Sequence, residues 1–354
     1  MTAYDLGIPT VSGLDGVPTT DQPSTPADFK SDQEVRWCPG CGDYVVLNTM
    51  QSFLPTLGLR RENIVFVSGI GCSSRFPYYM DTYGFHSIHG RATAIATGLA
   101  VERPDLSVWV ITGDGDSLSI GGNHLIHLLR RNVNVKVLLF NNRIYGLTKG
   151  QYSPTSEVGK RTKSSPAGSV DHPFNPLALA LGADATFVGR ALDSDKAGLT
   201  EVLSAAARHR GSAFVEIYQN CPIFNDGAFD ALKDKHASAG RLLRLGAGQP
   251  MTFGADERKY AVVGDGPGGL TIADASNVAP DDVVVHQPDH ERAGYSYALA
   301  RLDETFPEVT PVGIFRDVVR PTYDDEVRAQ ISGQAMSSER LQDVLLGKDS
   351  WLVG

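Results

Sequence analysis

The chain has 354 residues, enough to bury a large core, and 41 acidic against 32 basic residues give it a formal net charge of -9. This acidic balance excludes a general nucleic-acid or anionic-membrane binder, which normally presents a basic face. There is no apolar run of the roughly 20 residues that a membrane span needs, and the N-terminus lacks a signal-peptide pattern. We therefore expect a cytoplasmic protein that binds small molecules or other proteins.

Residues 1–30 are rich in Thr, Ser, Pro, Gly and Asp and carry few apolar side chains, which predicts a mobile N-terminal tail. From Asp32 onwards, helical segments alternate with β-rich apolar runs. The predicted helices, in chain order, are DYVVLNTMQSFLPTLG, RATAIATGLAVERPD, SLSIGGNHLIHLLRRN, NPLALALGA and DKAGLTEVLSAAARHRG. The predicted strands that follow them are NIVFVSG, SVWVITG, VNVKVLLFNN, TFVGR and AFVEIYQN.

Continuous apolar strands that alternate with helices predict an α/β fold, a mostly parallel sheet covered by helices on both faces. We expect residues 31–235 to form this domain and residues 236–354 to be a C-terminal extension packed on the core or on a partner subunit. The extension contains GDGPGG at Gly264 to Gly269, which fits a dinucleotide-binding pattern, but a returning strand and not a helix follows it. This glycine-rich stretch therefore predicts a hairpin turn.

Polar side chains follow several of the predicted strands. Gly113, Asp114 and Gly115 form a glycine turn after SVWVITG, and Asn142 follows VNVKVLLFNN. Ligands of parallel sheets gather at the carboxyl ends of strands, so the acid and the amide should lie near each other. A carboxylate, an amide oxygen, a backbone carbonyl and two phosphate oxygens suit octahedral Mg2+. Either half alone fits an ordinary turn, but together they resemble the thiamine-diphosphate signature, which implies Mg2+ on Asp114, Asn142 and the Ile144 carbonyl.

Four cysteines are present: Cys38 and Cys41 in WCPGCGD, Cys72 in GIGCSSR and Cys221 in QNCPIF. They are too few for a disulfide-dense secreted scaffold. Three interpretations stay open: ordinary buried thiols, a structural zinc site, or a 4Fe-4S cluster. The adjacent thiamine signature favours the cluster, since a cofactor that produces electron-rich carbanions can use a nearby one-electron acceptor.

The ordered blocks WCPGCGD, GIGCSSR, HGRATAIATGLA, GDGD, NNRIYGLTKGQYSPTS and QNCPIF resemble the β subunit of 2-oxoacid:ferredoxin oxidoreductases, most closely the 2-oxoglutarate type. The resemblance is dense over residues 31–230. It implies that Cys38, Cys41, Cys72 and Cys221 hold the cluster. It also implies thiamine diphosphate contacts at Ile70, Gly71, Cys72, Ser73, Ser87, Ile88, His89, Gly90, Gly115, Asp116, Gly146 and Leu147.

The same resemblance implies the reaction: oxidative decarboxylation of a 2-oxoacid with coenzyme A to acyl-CoA and CO2, with electrons passing to ferredoxin. No glutamate here matches the group that activates the thiamine ring. In the family an α subunit supplies it, so the chain should be inactive alone and work in an α2β2 assembly.

Four side chains are candidates for handling the substrate. Arg75 could pair with a substrate carboxylate, His89 could hydrogen-bond cofactor or substrate, and Lys149 could face coenzyme A or a carboxylate. Leu147 stands where pyruvate-type relatives tend to carry a polar residue, which with Arg75 favours the longer diacid 2-oxoglutarate. The alternatives are pyruvate-type or broad specificity, a non-redox thiamine decarboxylase or carboligase with structural zinc, and a non-catalytic zinc-stabilised interaction protein.

Overall fold

The fold is organised around one twisted sheet of eight strands. A computed structural model of the chain describes residues 12–255, 258–332, 338–351 and 353. The strands, in chain order, are β1 (Ile64–Ser68), β2 (Tyr83–His86), β3 (Ser107–Gly113), β4 (Lys136–Asn141), β5 (Phe187–Leu192), β6 (Ala213–Tyr218), β7 (Leu242–Leu245), β8 (Thr252–Ala255), β9 (Arg258–Asp265), β10 (Gly269–Asp274) and β11 (Thr310–Asp317). The eight-stranded sheet has the order β2-β1-β3-β4-β6-β5-β11-β7, and β8 to β10 form a separate three-stranded sheet.

Helices cover the large sheet and its C-terminal additions. They are α1 (Asp43–Phe53), α2 (Ala92–Glu102), α3 (Asp114–Leu118), α4 (Gly122–Arg130), α5 (Pro176–Gly182), α6 (Lys196–Arg208), α7 (Asp230–Lys233), α8 (Lys235–Ala239), α9 (Ala293–Ala300), α10 (Leu302–Thr305), α11 (Tyr323–Ser332) and α12 (Ser338–Leu346). None of the helices that the structure describes is long and apolar enough to cross a bilayer.

The sheet buries both of its faces, as the continuous apolar strands predict. Side chains alternate along β3: Val108 and Val110 join one hydrophobic cluster, which includes buried residues of α2 and α4. Trp109 and Ile111 join the other cluster, which includes buried residues of α1 and α6. The five predicted strands and the parallel sheet are therefore confirmed.

The C-terminal residues contribute to the main sheet as well as packing on it. β11 pairs antiparallel with β5, and β7 pairs parallel with β11, so both run against the other six strands. The expected division at residue 235 consequently does not coincide with an edge of the sheet. The glycine-rich stretch lies in the antiparallel hairpin β9–β10, as its returning strand predicts.

Part of the predicted N-terminal tail is packed. Residues 1–11 lie outside the described residues, but residues 12–30 run along the core beside α1. Val17 and Phe29 are buried, Phe29 completely, and both belong to the cluster on the α1 face. The composition of this segment concealed two apolar anchors, because isolated hydrophobic residues give no periodic signal.

Phe29→Ala tests this packing. Removing a fully buried aromatic ring leaves a cavity, so we expect the free energy of unfolding to fall by about 3–5 kcal/mol. Urea denaturation followed by circular dichroism measures the change. The matched control is Phe174→Ala, since Phe174 is 49% exposed and should lose much less. Equal effects of the two substitutions would contradict a packed N-terminal segment.

Candidate functional site

The segments that carry the sequence motifs meet at one edge of the sheet. β1, β3, β4 and β6 are consecutive neighbours and run parallel, so their carboxyl ends lie side by side. The residues that follow these four strands are therefore brought together across more than 150 positions of sequence. This convergence is what the strand-end motifs predict.

The Asp116 carboxylate joins three of the predicted cofactor-binding segments. Its Oδ1 atom accepts hydrogen bonds from the backbone amides of Ile70 at 3.2 Å and Gly90 at 2.8 Å, and lies 2.6 Å from Nδ1 of His89. Its Oδ2 atom accepts from the Thr112 hydroxyl at 2.7 Å. Asp116 is buried, so it positions the loop after β1 and the turn before α2 against the end of β3.

Two glycines allow backbones to approach closely here. A Cβ atom at Gly69 would lie 1.8 Å from Asp116 Oδ2, and one at Gly115 would lie 2.1 Å from the Tyr145 ring. The Tyr145 hydroxyl donates to the Gly115 carbonyl at 3.0 Å. Glycine is required at both positions because any side chain would displace these partners.

The turn at residues 87–90 has the form of a ligand-binding edge. The Ser87 hydroxyl donates to the Ser68 carbonyl at 2.8 Å, and Gly90 has a left-handed φ of 72°. Ile88 is 72% exposed, and Ile70 across the same edge is 43% exposed. Large, exposed apolar side chains beside buried polar groups indicate a surface that binds a ligand or another protein.

Asp114 is buried at the start of α3 and is surrounded by hydroxyl groups. The Ser153 and Thr155 hydroxyls each lie 2.6 Å from its Oδ2 atom. Burial raises the pKa of Asp114 to about 6, although these hydroxyls oppose the shift. Both serine and threonine belong to the long loop after β4, so this loop covers the acid.

The two asparagines at the end of β4 point to different sides. Asn141 Oδ1 lies 2.9 Å from the Thr155 hydroxyl that also contacts Asp114. The Asn142 amide nitrogen instead donates to Gln219 Oε1 at 3.0 Å, and its Oδ1 atom accepts from the Ile144 amide at 3.2 Å. The structure thus links Asp114 through a shared partner to Asn141, while the predicted ligand Asn142 faces the cysteine-rich side.

A buried ion pair between Arg190 and Glu216 holds the Asn141 side chain. The Asn141 amide donates to Glu216 Oε1 at 2.7 Å, and Glu216 Oε2 accepts from Arg190 Nε at 2.7 Å. The Arg190 and Glu216 side chains are at most 1% exposed. Asn141, Arg190 and Glu216 also line a large cavity of about 1120 Å³ beside the site. Glu216 uses one carboxylate oxygen for Arg190 and the other for the Asn141 amide, so the buried ion pair holds this amide in one orientation.

All four cysteines line one cavity of about 220 Å³. Cys41 and Cys221 are buried, Cys72 is partly buried and Cys38 is exposed. A Cβ atom added to Gly146 would lie 3.5 Å from the Cys72 sulfur and 3.7 Å from the Cys221 sulfur, so these two thiols flank the same point. The Trp37 indole fixes the Cys72 loop by donating to its carbonyl at 2.7 Å.

The cavity is unfavourable for anions in the absence of a cation. Burial raises the pKa of the Cys72 thiol to about 11 and raises that of Cys41 further, and the Asp43 carboxylate adds to both shifts. Burial also raises the pKa of Asp43 to about 7. Neither Asp43 oxygen has a partner of hydrogen-bonding geometry, although the Cys41 thiol is near enough to moderate the shift. Thiolates here would need a positive centre.

In the described part of the chain, no three His, Cys, Asp or Glu side chains are arranged around a single metal ion. A zinc ion would bring its thiolates to within about 2.3 Å of one centre. In an iron-sulfur cluster each thiolate binds its own iron. Four thiols that line one cavity supply enough ligands for either centre.

The four candidates for substrate handling lie on two sides of this edge. Arg75, Leu147 and Lys149 line the cysteine cavity, and Arg75 donates to the Arg36 carbonyl at 3.3 Å. Leu147 is 45% exposed and Lys149 has a left-handed φ of 77°. His89 is instead held by Asp116, away from the cysteines.

Sequence reasoning missed several residues of the site: Asp43, Asn141, Ser153, Thr155, Glu216 and Gln219. Some signals were present. Ser153 and Thr155 lie in the block that ends YSPTS, and Gln219 stands two positions before Cys221. Their contacts were not readable, because each depends on which strands are neighbours.

Comparison with known proteins identifies a thiamine-binding domain and similar oxidoreductase subunits. Residues 69–217 match the family model described as "Thiamine pyrophosphate enzyme, C-terminal TPP binding domain". The chain is 64% identical to 2-oxoglutarate oxidoreductase subunit KorB of Mycobacterium tuberculosis, over 100% of this chain and 95% of that protein. It is 45% identical to the β subunit of 2-oxoacid:ferredoxin oxidoreductase 2 of Aeropyrum pernix, over 56% of this chain and 64% of that protein.

A solved structure extends the likeness to three dimensions. It is a 2-oxoglutarate:ferredoxin oxidoreductase from Magnetococcus marinus with 2-oxoglutarate, coenzyme A and succinyl-CoA bound. The TM-score is 0.74 with 32% sequence identity, and the match covers 94% of this chain and 99% of that one.

Gly69→Ala tests the central role of Asp116. The new Cβ atom must displace the Asp116 carboxylate, so we expect a loss of about 1–3 kcal/mol in the free energy of unfolding. Urea denaturation measures it. Gly122→Ala is the matched control, because its Cβ would meet nothing within 4 Å, and at the start of α4 it should be neutral or stabilising by up to about 1 kcal/mol. Similar losses in both variants would argue against this arrangement.

Proposed function

Because the chain belongs to the β-subunit family of the 2-oxoacid:ferredoxin oxidoreductases, we propose that it completes an enzyme that converts 2-oxoglutarate and coenzyme A to succinyl-CoA and CO2. Electrons would leave through a 4Fe-4S cluster to ferredoxin. The observation that carries the proposal is that the cysteine cavity and the strand-end loops with the thiamine signature share a wall, formed by Asn142 and Gly146. The 2-oxoglutarate, coenzyme A and succinyl-CoA in the Magnetococcus marinus enzyme support the choice of substrate.

The residues at the strand ends suit a magnesium-held diphosphate. Asp114 supplies a buried carboxylate, Asn142 an amide oxygen and Ile144 a backbone carbonyl, which are the hard oxygen ligands that Mg2+ prefers. The Ser153 and Thr155 hydroxyls fix the orientation of the acid. Gly90 and Gly115 let Gly121 and Tyr145 pack directly against the backbone, and Asp116 holds the surrounding loops in place.

The cysteines suit an iron-sulfur cluster. Cys38, Cys41, Cys72 and Cys221 supply four thiols around one space. The positive charge of the irons would offset the free-energy cost of burying thiolates and the Asp43 carboxylate there. When bound, thiamine diphosphate supplies the carbanion that attacks the keto carbon, and the cluster accepts single electrons. The protein's part is to hold both groups on one rigid sheet edge.

We infer that Arg75 binds a substrate carboxylate. Its guanidinium lines the cysteine cavity and opposes the rise in the pKa of Cys72, so it supplies positive charge where an anionic substrate would enter. Lys149 lies along the same wall and adds a second cation, while Leu147 leaves an apolar surface beside it. His89 can hydrogen-bond a bound cofactor or substrate through its other ring nitrogen while Asp116 orients the ring through Nδ1.

A partner chain is expected at this edge. Ile70, Ile88, Ile120 and Leu147 are large apolar side chains between 43% and 72% exposed. They form a rim that an α subunit would cover while contributing the glutamate that activates the thiamine ring. We propose an α2β2 assembly, and purified β chain alone should not reduce ferredoxin.

Cys72→Ser tests the cluster. In the complex with the α subunit, we expect this variant to lose most of its iron and acid-labile sulfide, because serine replaces one of four thiolates. Metal analysis by mass spectrometry also separates the alternatives, since one zinc per chain in the wild-type complex would favour a non-redox thiamine enzyme. The control Ser52→Ala, at a half-buried position of α1 outside the cysteine cavity, should retain the cluster.

Asp114→Ala tests the diphosphate site. Loss of the carboxylate should weaken Mg2+-dependent binding of thiamine diphosphate by at least about 10-fold, the effect typical of changes around a metal site. Isothermal titration calorimetry on the αβ complex measures it. Asp281→Ala, at an exposed position far along the chain, is the control. Unchanged affinity in Asp114→Ala would overturn the assignment of the metal site.

A further inference from the structure

Gln219 lies between the two proposed cofactor sites. It follows β6, is 1% exposed, and lines the cysteine cavity. Its Oε1 atom accepts from the Asn142 amide at 3.0 Å. Its Nε2 atom donates to the Cys41 sulfur at 3.2 Å and also to the Asn220 carbonyl. One side chain therefore contacts a proposed magnesium ligand and a proposed cluster ligand.

The orientation of the Gln219 amide is fixed by the backbone. The Ile144 amide can only donate, and it donates to Asn142 Oδ1 at 3.2 Å. This leaves the Asn142 nitrogen facing Gln219, so the Gln219 oxygen must face Asn142. The Gln219 nitrogen is then directed at Cys41 and at the Asn220 carbonyl, which is itself an acceptor. Each hydrogen bond between the Ile144 backbone and the Cys41 sulfur therefore determines the next one. Flipping either side-chain amide would break this order of donors and acceptors.

We propose that Gln219 is a positioning residue that couples the two sites: its oxygen holds Asn142 ready for the diphosphate metal, and its nitrogen tunes the cluster through Cys41. This inference rests on the proposed function. A donor to a cluster thiolate stabilises the reduced state, because reduction adds negative charge that the N–H dipole offsets. The Asp43 carboxylate in the same cavity has the opposite effect, so Gln219 is needed to keep the potential within reach of the electrons from substrate.

Gln219→Met tests both contacts of Gln219, the one with Asn142 and the one with Cys41. Methionine keeps the length of the side chain and cannot donate, and its sulfur is a poor acceptor. We expect the equilibrium constant for cluster reduction to fall by about 10-fold, a shift of about 59 mV towards negative potential for one electron. Affinity for thiamine diphosphate with Mg2+ should also fall by about 10-fold, because the half-buried Asn142 amide loses its acceptor. Potential is measured by redox titration with electron paramagnetic resonance, and affinity by calorimetry.

Gln219→Glu distinguishes the Asn142 contact from the Cys41 contact at alkaline pH, where the introduced carboxyl is ionised. A carboxylate still accepts from Asn142, so thiamine diphosphate affinity should stay near wild type. It no longer donates to Cys41 and adds a negative charge, so the potential should fall below that of Gln219→Met. The control is Gln51→Leu, which removes another buried glutamine, one that donates to the Tyr79 carbonyl at 3.0 Å. Its potential should match wild type.

The outcomes are distinguishable. A wild-type complex without a cluster signal or thiamine diphosphate binding would overturn the proposed function itself. A wild-type complex with both, and variants whose potentials equal that of Gln51→Leu, would overturn only the role of Gln219. If Gln219→Met fails to retain a cluster, Gln219→Glu decides: a lowered potential with retained affinity supports the coupling, and an unchanged potential refutes it.

Discussion

The site depends on one carboxylate. Asp116 is buried in α3, directly after the central strand β3. It accepts hydrogen bonds from the loop after β1, from the turn before α2 and from Thr112 near the end of β3. A buried carboxylate is costly unless its oxygens are satisfied, so the three donors and the acid hold one another in a single geometry. Gly69 cannot carry a side chain because the Asp116 carboxylate occupies the space that its Cβ would need.

The sheet then determines which groups can meet. Parallel order places the ends of β1, β3, β4 and β6 in a row, so residues remote in sequence form one surface. The two asparagines at the end of β4 hydrogen-bond to different groups. Asn141 contacts Glu216 and the Thr155 hydroxyl that also contacts Asp114, whereas the Asn142 nitrogen donates to Gln219, which contacts Cys41. The end of β4 therefore contacts both the Asp114 side and the cysteine side of this edge.

Burial of charge gives the site its need for cations. Burial raises the pKa of Asp43, of Asp114 and of the Cys41 and Cys72 thiols, so it shifts each of these four groups towards its neutral form. Metal centres reverse this preference, because they pair with the ionised forms. Desolvating these groups costs free energy on folding, and a bound cation would offset part of that cost by pairing with their ionised forms.

The sequence by itself determined the alternating strands and helices, the four thiols, the acid-and-amide pair and the family, since these are properties of local pattern and residue type. Neighbouring strands, side-chain direction and long-range contacts were decided only by the tertiary structure. It placed β11 in the main sheet, packed Phe29 on the core, and brought Ser153 and Thr155 onto Asp114. The partners of Gln219 could not be predicted, because a side chain that joins two strand ends has no meaning until the sheet has set their order and spacing.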